Sequence, residues 1–201
     1  IKNYSFGTEL SFSPYRKEKF AFNILNSRFY SFYNKVSLTY SYNIIDNEEY
    51  KNEEYQKIEL DAAYRLMFKP MCFDSKVTVG KIFGNTSSYL YFTPNYRTST
   101  VSNNFGFNLY GYSSNRYEYY IQTFNQLNLG GVLLDNISFF KNFRPNEFIN
   151  LKCLFTKYDP YYEVGAGIDH IFGCLGFEVM RRISNTNPYD MPLWGFKVRL
   201  T

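Results

Sequence analysis

The sequence predicts an all-β chain folded as an antiparallel transmembrane β-barrel, and three observations predict it. The first is alternation. Tyr4, Phe6, Thr8, Leu10 and Phe12 are separated by Ser5, Gly7, Glu9 and Ser11. A period of two places one set on each face of a strand. One face is therefore aromatic and apolar and the other small or charged, and this division recurs along the chain. The second is composition: 21% of the 201 residues are aromatic, with 21 Tyr, 21 Phe and one Trp. The third is that mean hydropathy is only −0.38 despite those rings. No run approaches the roughly 20 apolar residues of a transmembrane helix. Polar residues interleaved strand by strand explain both facts.

The elements follow in order. Residues 4–12 form the first strand, and Pro14-Tyr15-Arg16-Lys17 turns the chain. Phe20, Phe22 and Ile24 carry the apolar face of a second. The clearest alternation is Val36, Leu38, Tyr40, Tyr42 and Ile44 against Ser37, Thr39, Ser41 and Asn43. Residues 46–54 hold five acids and read as a solvated loop. Ile58, Leu60, Ala62, Tyr64, Leu66 and Phe68 then face away from Lys57, Glu59, Asp61, Ala63 and Arg65, and Lys69-Pro70 ends that strand. Residues 77–83 and 89–92 are weaker strands flanking Gly84-Asn85-Thr86. Residues 96–104 read as loop. Phe105, Phe107 and Leu109 begin another strand, which Ser113-Ser114-Asn115 turns into Tyr117, Tyr119, Ile121 and Thr123.

Residues 127–148 break the pattern. After Gly130-Gly131, the residues Leu133, Leu134, Ile137 and Phe140 fit helical spacing as well as strand spacing. An irregular or partly helical connection is expected there. Ile149, Leu151, Cys153 and Phe155 resume the strands, and Asp159-Pro160 turns the chain. Tyr162, Val164, Ala166 and Ile168 alternate with Glu163, Gly165, Gly167 and Asp169. Leu175, Phe177 and Val179 alternate with Gly176, Glu178 and Met180. Residues 185–192 are a turn-rich loop. Trp194, Phe196, Val198 and Leu200 alternate with Gly195, Lys197, Arg199 and Thr201. The expectation is a single domain over 1–201 with about ten to twelve strands, many near the length that crosses a tilted barrel wall.

Alternation does not by itself say which face points outward. A soluble barrel turns its apolar face in, and a membrane barrel turns it out. Several rings per strand would overpack a small barrel interior, whereas Ser, Gly and Asn fit there. The expected lumen-facing polar network is Glu9, Lys57, Glu59, Asp61, Arg65, Glu163, Asp169, Glu178, Arg182, Lys197 and Arg199. The expected lipid-facing and girdle residues are Tyr4, Phe6, Phe12, Leu38, Tyr42, Tyr64, Phe68, Tyr117, Tyr162, Trp194 and Phe196. Rings near strand ends suit the headgroup region. A soluble β-sandwich or surface β-rich binding domain is the competing architecture.

Function classes narrow by what the residues offer. The net charge of +4 comes from scattered basic residues, which argues against a nucleic-acid footprint. Cys72, Cys153 and Cys174 are widely spaced and odd in number, arguing against a disulfide framework or zinc ribbon. No metal or cofactor is expected. Asp46, Glu48, Glu49, Glu53 and Glu54 lack the spacing and central Gly of a calcium loop. His170 is the only histidine. A general base in an outer-membrane lipid hydrolase would need an acid and a serine beside it. Parity places His170 instead with Val164, Ala166 and Ile168 at a strand end. No catalytic constellation is expected. The reading is a non-catalytic outer-membrane protein with a porin-like transport role or a structural or assembly role. Its partners would be outer-membrane lipid and the barrel assembly machinery.

From about residue 129 the chain resembles the C-terminal end of a Bacteroidota family of large outer-membrane proteins. The carrying residues are Leu129-Gly130-Gly131-Val132-Leu133-Leu134-Asp135-Asn136-Ile137 and Pro160-Tyr161-Tyr162-Glu163-Val164-Gly165-Ala166-Gly167-Ile168-Asp169-His170-Ile171-Phe172. Arg181-Arg182 and Trp194-Gly195-Phe196 follow at matching distances. That family has a carboxypeptidase-regulatory-like domain followed by a β-barrel region of unknown function. Ser138 stands where the family pattern has proline, and His170 where it has asparagine. The resemblance implies that this chain is the last part of a larger barrel, with the N-terminal part of the same protein as a further partner. It implies no catalytic residues.

Overall fold

A computed structural model describes residues 2–12, 35–46, 53–68, 70–85, 91–95, 105–110, 116–138, 140, 145–157, 160–183 and 192–200. Nine strands are present among them: β1 (Lys2–Phe12), β2 (Lys35–Asp46), β3 (Glu53–Phe68), β4 (Met71–Asn85), β5 (Tyr119–Asn128), β6 (Asn146–Phe155), β7 (Tyr161–Ile171), β8 (Leu175–Arg182) and β9 (Trp194–Leu200). They form one antiparallel sheet in the order β1-β2-β3-β4-β5-β6-β7-β8-β9, so every neighbour in space is a neighbour in sequence. β1 and β9 are its two edges, and the sheet does not close on itself. β1 to β7 each have ten or more residues, enough to cross about 25 Å of apolar membrane when tilted.

Register decides which residues share a face. Glu9 lies opposite Thr39, Thr39 opposite Glu59, Glu59 opposite Gly80, and Gly80 opposite Tyr120. Farther along, Asn150 lies opposite Gly165, Gly165 opposite Met180, and Met180 opposite Gly195. Every polar residue of the predicted network falls on this one face.

Burial is inverted relative to a soluble sheet. The aromatic face is the exposed one: Phe6 is 65% exposed and Phe196 62%. Leu38, Leu60, Tyr64, Phe177 and Val179 are also exposed. Beneath the opposite face, Glu163 is 0% exposed, Glu178 1% and Arg199 3%. Among the described residues, large apolar side chains stand bare on this face across successive strands.

The buried face is not purely polar, which departs from the expected lumen of small and charged residues. Tyr55, Ile82, Tyr120, Phe124, Leu154 and Tyr161 lie on it, and Phe92, Phe107, Tyr110 and Tyr117 join them in one cluster. The last four belong to the connection between β4 and β5, which folds back over the polar face. Residues 105–110 form turns there, not the strand that Phe105, Phe107 and Leu109 suggest. Likewise Phe92 makes only an isolated bridge to Tyr117.

Other boundaries differ as well. Nine strands are described where about ten to twelve are expected for a barrel of this length. The irregular stretch expected at 127–148 is narrower: Leu127 and Asn128 close β5, and Asn146 opens β6. Turns, not a helix, occupy 130–138. β4 starts at Met71, which lies opposite Phe68 at the end of β3. The strand expected at Phe20, Phe22 and Ile24 and the loops at 96–104 and 185–191 lie outside the described residues.

Candidate functional site: the polar face and its folded-in segment

The site is built from β5 to β9 upward. Alternation drops Glu163 and Asp169 from β7, Glu178 and Arg182 from β8, and Arg199 from β9 onto one face, and all five are buried. Buried charge is tolerable only when it is paired and hydrogen-bonded. Each of these is. Arg199 Nε lies 3.2 Å from Asp169 Oδ1, and its Nη2 donates to Gln126 Oε1 at 3.1 Å. The same guanidinium sits 3.8 Å from the centre of the Phe148 ring. Thus a β9 side chain reaches β5 and β6 across the buried face, so this half of the sheet is strongly curved. Asn150 donates through Nδ2 to Glu178, whose other oxygen accepts from Asn108 Nδ2 at 3.5 Å.

The folded-in segment is fastened by a carboxylate. The backbone N–H of Asn108 donates to Glu163 Oε2 at 2.9 Å. Those of Leu109 and Tyr110 donate to Oε1 at 2.7 and 3.1 Å. The Tyr161 hydroxyl donates to the same oxygen at 2.7 Å. Three successive amides converging on one anion form a backbone nest, occupied here by the protein's own side chain. Lys152, opposite Glu163 in the β6–β7 register, donates through Nζ to the Gly106 carbonyl at 2.8 Å. Aromatic packing completes the seat: Phe107 lies against Phe124, Tyr110 and Tyr161 with ring centres 5.0 to 5.8 Å apart. Gly80 and Gly195 make room. A Cβ on Gly80 would come within 2.6 Å of the Tyr120 ring and 2.8 Å of Phe92, and one on Gly195 would collide with Leu109.

The β1–β4 half of the same face is more open. Lys57, Glu59, Asp61 and Arg65 are half-buried, and Glu9 is exposed. Arg65 clasps Asp74 with both ends of its fork, Nη2 to Oδ2 at 2.6 Å. Asp61 accepts from Thr78 at 2.5 Å and lies 3.6 Å from Lys76. Tyr120 donates to Glu59 at 3.1 Å, and Lys57 sits 4.1 Å above the Phe92 ring. Lys197 is half-buried on β9, and Glu9 meets Lys35 at 3.9 Å.

Of the predicted outer residues, Tyr4, Phe6, Phe12, Leu38, Tyr64, Phe68, Trp194 and Phe196 are exposed on the opposite face, and Tyr42 and Tyr162 partly so. Arg181 stacks over Trp194 at 5.1 Å. Tyr117 is the correction. It precedes β5, is 8% exposed, and its hydroxyl lies 2.7 Å from that of Tyr110 in the buried cluster. Strand parity fails there because the chain has not yet entered the sheet.

His170 stands at an irregularity between Ile168 and Ile171, with φ of +65°. Its carbonyl accepts from Gly173 N at 3.0 Å in the turn to β8. His tolerates that left-handed geometry better than most residues. Cys72, Cys153 and Cys174 are free thiols. Among the described residues no three His, Cys, Asp or Glu gather in a metal-binding group, and no helix is long and apolar enough to cross a membrane.

No family model, curated protein or solved structure matches the chain.

Several residues of the network escape a reading of the sequence. Asp74 lies in a polar run that hides its strand's phase, and Gln126 where the alternation of its strand lapses; Asn150 and Lys152 share the phase set by Ile149, Leu151, Cys153 and Phe155, but nothing local marks their partners. Glu147 stands apart from the network: it lies opposite Ile168 on the other face of the sheet, accepts from Gly131 N at 2.8 Å and also holds Leu134 N, in a stretch without periodicity. The one available signal was the glycines at 80, 165 and 195, because a glycine inside a strand often marks the close approach of another group.

Proposed function

We propose that this chain is the wall of an outer-membrane β-barrel without catalytic activity, whose lumen is narrowed by residues 105–110. The supporting observation is the inverted burial: carboxylates and guanidinium groups lie beneath one face, and large rings are bare on the other. In water that arrangement exposes apolar surface at about 25 cal/mol per Å² on every strand. In hydrocarbon the same surface is neutral, and the polar face lies toward the lumen. The resemblance of residues 129–137 and 160–172 to the Bacteroidota barrel family supports the same reading and the same compartment. Outer-membrane lipid and the barrel assembly machinery are its proposed partners.

Within that reading the role is restricted passive passage of small polar solutes. Lys57, Glu59, Asp61 and Lys76 carry both signs of charge along the half of the polar face that the folded-in segment leaves open, so strong anion or cation preference is not expected. A structural role in the envelope is the second reading, favoured by how completely residues 105–110 fill the β5–β9 half. Purified protein in planar bilayers separates them. Small, weakly selective conductance steps support passage. Silence from protein with an intact β circular-dichroism spectrum leaves the structural role. Partition into buffer without detergent removes both.

A further inference from the structure

A cation stands on the aromatic face at the end of β8. Arg181 is exposed and precedes the last residue of that strand. It lies opposite Val164 of β7 on one side and Trp194 of β9 on the other. Paired residues share a face, so Arg181 belongs with the bare apolar side chains, whereas its neighbour Arg182 is buried on the polar side. Among the described residues no carboxylate pairs with Arg181. Its guanidinium stacks over Trp194 instead, 5.1 Å from the ring centre. Stacking occupies the flat face of a guanidinium and leaves its N–H edge turned to the surroundings, in the geometry that meets a phosphate.

The surface beside this cation is a groove. One row in from the strand end, Ala166 lies opposite Val179, and Val179 opposite Phe196. Val164, Ala166 and Val179, with Ile183, Leu193 and Trp194, line a space of about 680 Å³. Its side chains are apolar except for the arginines at the strand end. An apolar groove that ends in a cation is complementary to an amphiphile with an anionic head and a hydrocarbon tail. Depth agrees with charge. An arginine facing hydrocarbon is costly at the bilayer midplane and nearly neutral at the interface, and tryptophan favours the same headgroup level.

We propose that the groove over β7 to β9 binds a lipid with an uncompensated phosphate, its headgroup on the N–H edge of Arg181 and one acyl chain along Val164, Ala166 and Val179. This rests on the barrel reading and narrows its lipid partner to one chemical class.

Trp194 is the only tryptophan, so its fluorescence reports on this groove alone. The protein is reconstituted into phosphatidylcholine vesicles containing a small fraction of phosphatidylglycerol or of phosphatidylcholine with brominated acyl chains, which quench tryptophan on contact. The apparent affinity for the brominated phosphatidylglycerol should exceed that for the brominated phosphatidylcholine about fivefold, the effect of one basic residue at an anionic lipid surface. Arg181→Gln should bring the two affinities together. Lys81→Gln is the control, because Lys81 is another exposed cation on the same face, opposite Ile58 on β3 and over the Phe83 ring. It should leave the preference intact. Ala166→Phe fills the floor of the groove and should lower phosphatidylglycerol affinity with the arginine in place. Equal affinities in the parent, a preference that survives Arg181→Gln, equal losses in Arg181→Gln and Lys81→Gln, or an Ala166→Phe variant that binds as the parent does overturn the proposal. So does a Trp194 that neither lipid quenches, the result if residues 184–191, which lie outside the described residues, cover the groove. Failure of the barrel reading shows differently, as protein that does not float with the vesicles.

Discussion

Replacing Glu163 with Ala removes the acceptor for three backbone amides and one hydroxyl, all within 3.1 Å of its carboxylate. A hydrogen bond to a charged group contributes about 1.5–3 kcal/mol net, and an orphaned buried donor costs about 1–3 kcal/mol. The four are not additive, because residues 105–110 can swing out and hydrate once released. Removing one partner of a buried charge-assisted set costs about 3–5 kcal/mol, the figure we adopt for the seat of this segment. At about 1.4 kcal/mol per tenfold, the open population rises roughly a hundred- to several-thousand-fold. Phe105, Phe107 and Tyr110 are chymotrypsin sites within the segment, and cleavage tracks the open population when reclosing is fast. The assay is the initial rate of nicking between 105 and 110 in the detergent-folded protein. Glu163→Gln retains one acceptor oxygen and falls between the two. A Glu163→Ala rate within threefold of the parent refutes the idea that this carboxylate holds the segment.

Further outcomes follow from other contacts. Asp169→Ala leaves Arg199 buried without its carboxylate and should cost about 3–5 kcal/mol in reversible urea unfolding; a loss under 1 kcal/mol contradicts the pairing. His170→Asn should leave stability unchanged, whereas His170→Val should cost about 1–2 kcal/mol from the left-handed backbone. Both variants, like the parent, should show no phospholipid hydrolysis by fatty-acid release, and histidine-dependent release would revive the hydrolase reading. Leu38→Arg on the bare face should cost about 2–4 kcal/mol in bilayer refolding if placed near the midplane, and Thr39→Arg, one residue along, much less. Equal penalties at the two sites would show that the faces are not differently solvated.

The parts of the fold visible in the sequence are those where alternation is undisturbed. β2 reads directly from Val36 to Ile44, because each polar residue is small and each apolar one bulky. β7 and β8 read from glycines and carboxylates between aliphatics, which also put Glu163, Asp169 and Glu178 on one face. β4 was only half visible: Asp74-Ser75-Lys76 is a polar run, and Ser75 sits on the apolar face bonded to Asn125 at 2.7 Å. The folded-in segment was hidden by its own pattern. Phe105, Phe107 and Leu109 alternate as a strand does, and only the tertiary contacts to Glu163 and Lys152 turn them inward. Tyr117 was misplaced for the same reason, since parity holds only inside a strand. The partners that complete the site are matched across strands far apart in sequence, as with Arg199 and Gln126, and no local pattern encodes such a pair.

Nitroxide scanning of β2 tests most directly whether the aromatic face meets hydrocarbon. Single labels from Val36 to Ile45 in the bilayer-reconstituted protein report collisions with dissolved oxygen, which concentrates in lipid, and with a water-soluble nickel chelate. The expected profile has a period of two, with oxygen maxima at Val36, Leu38, Tyr40 and Tyr42 and minima at Ser37, Thr39, Ser41 and Asn43. The opposite phase, or a flat profile with strong nickel access at Leu38, would contradict it.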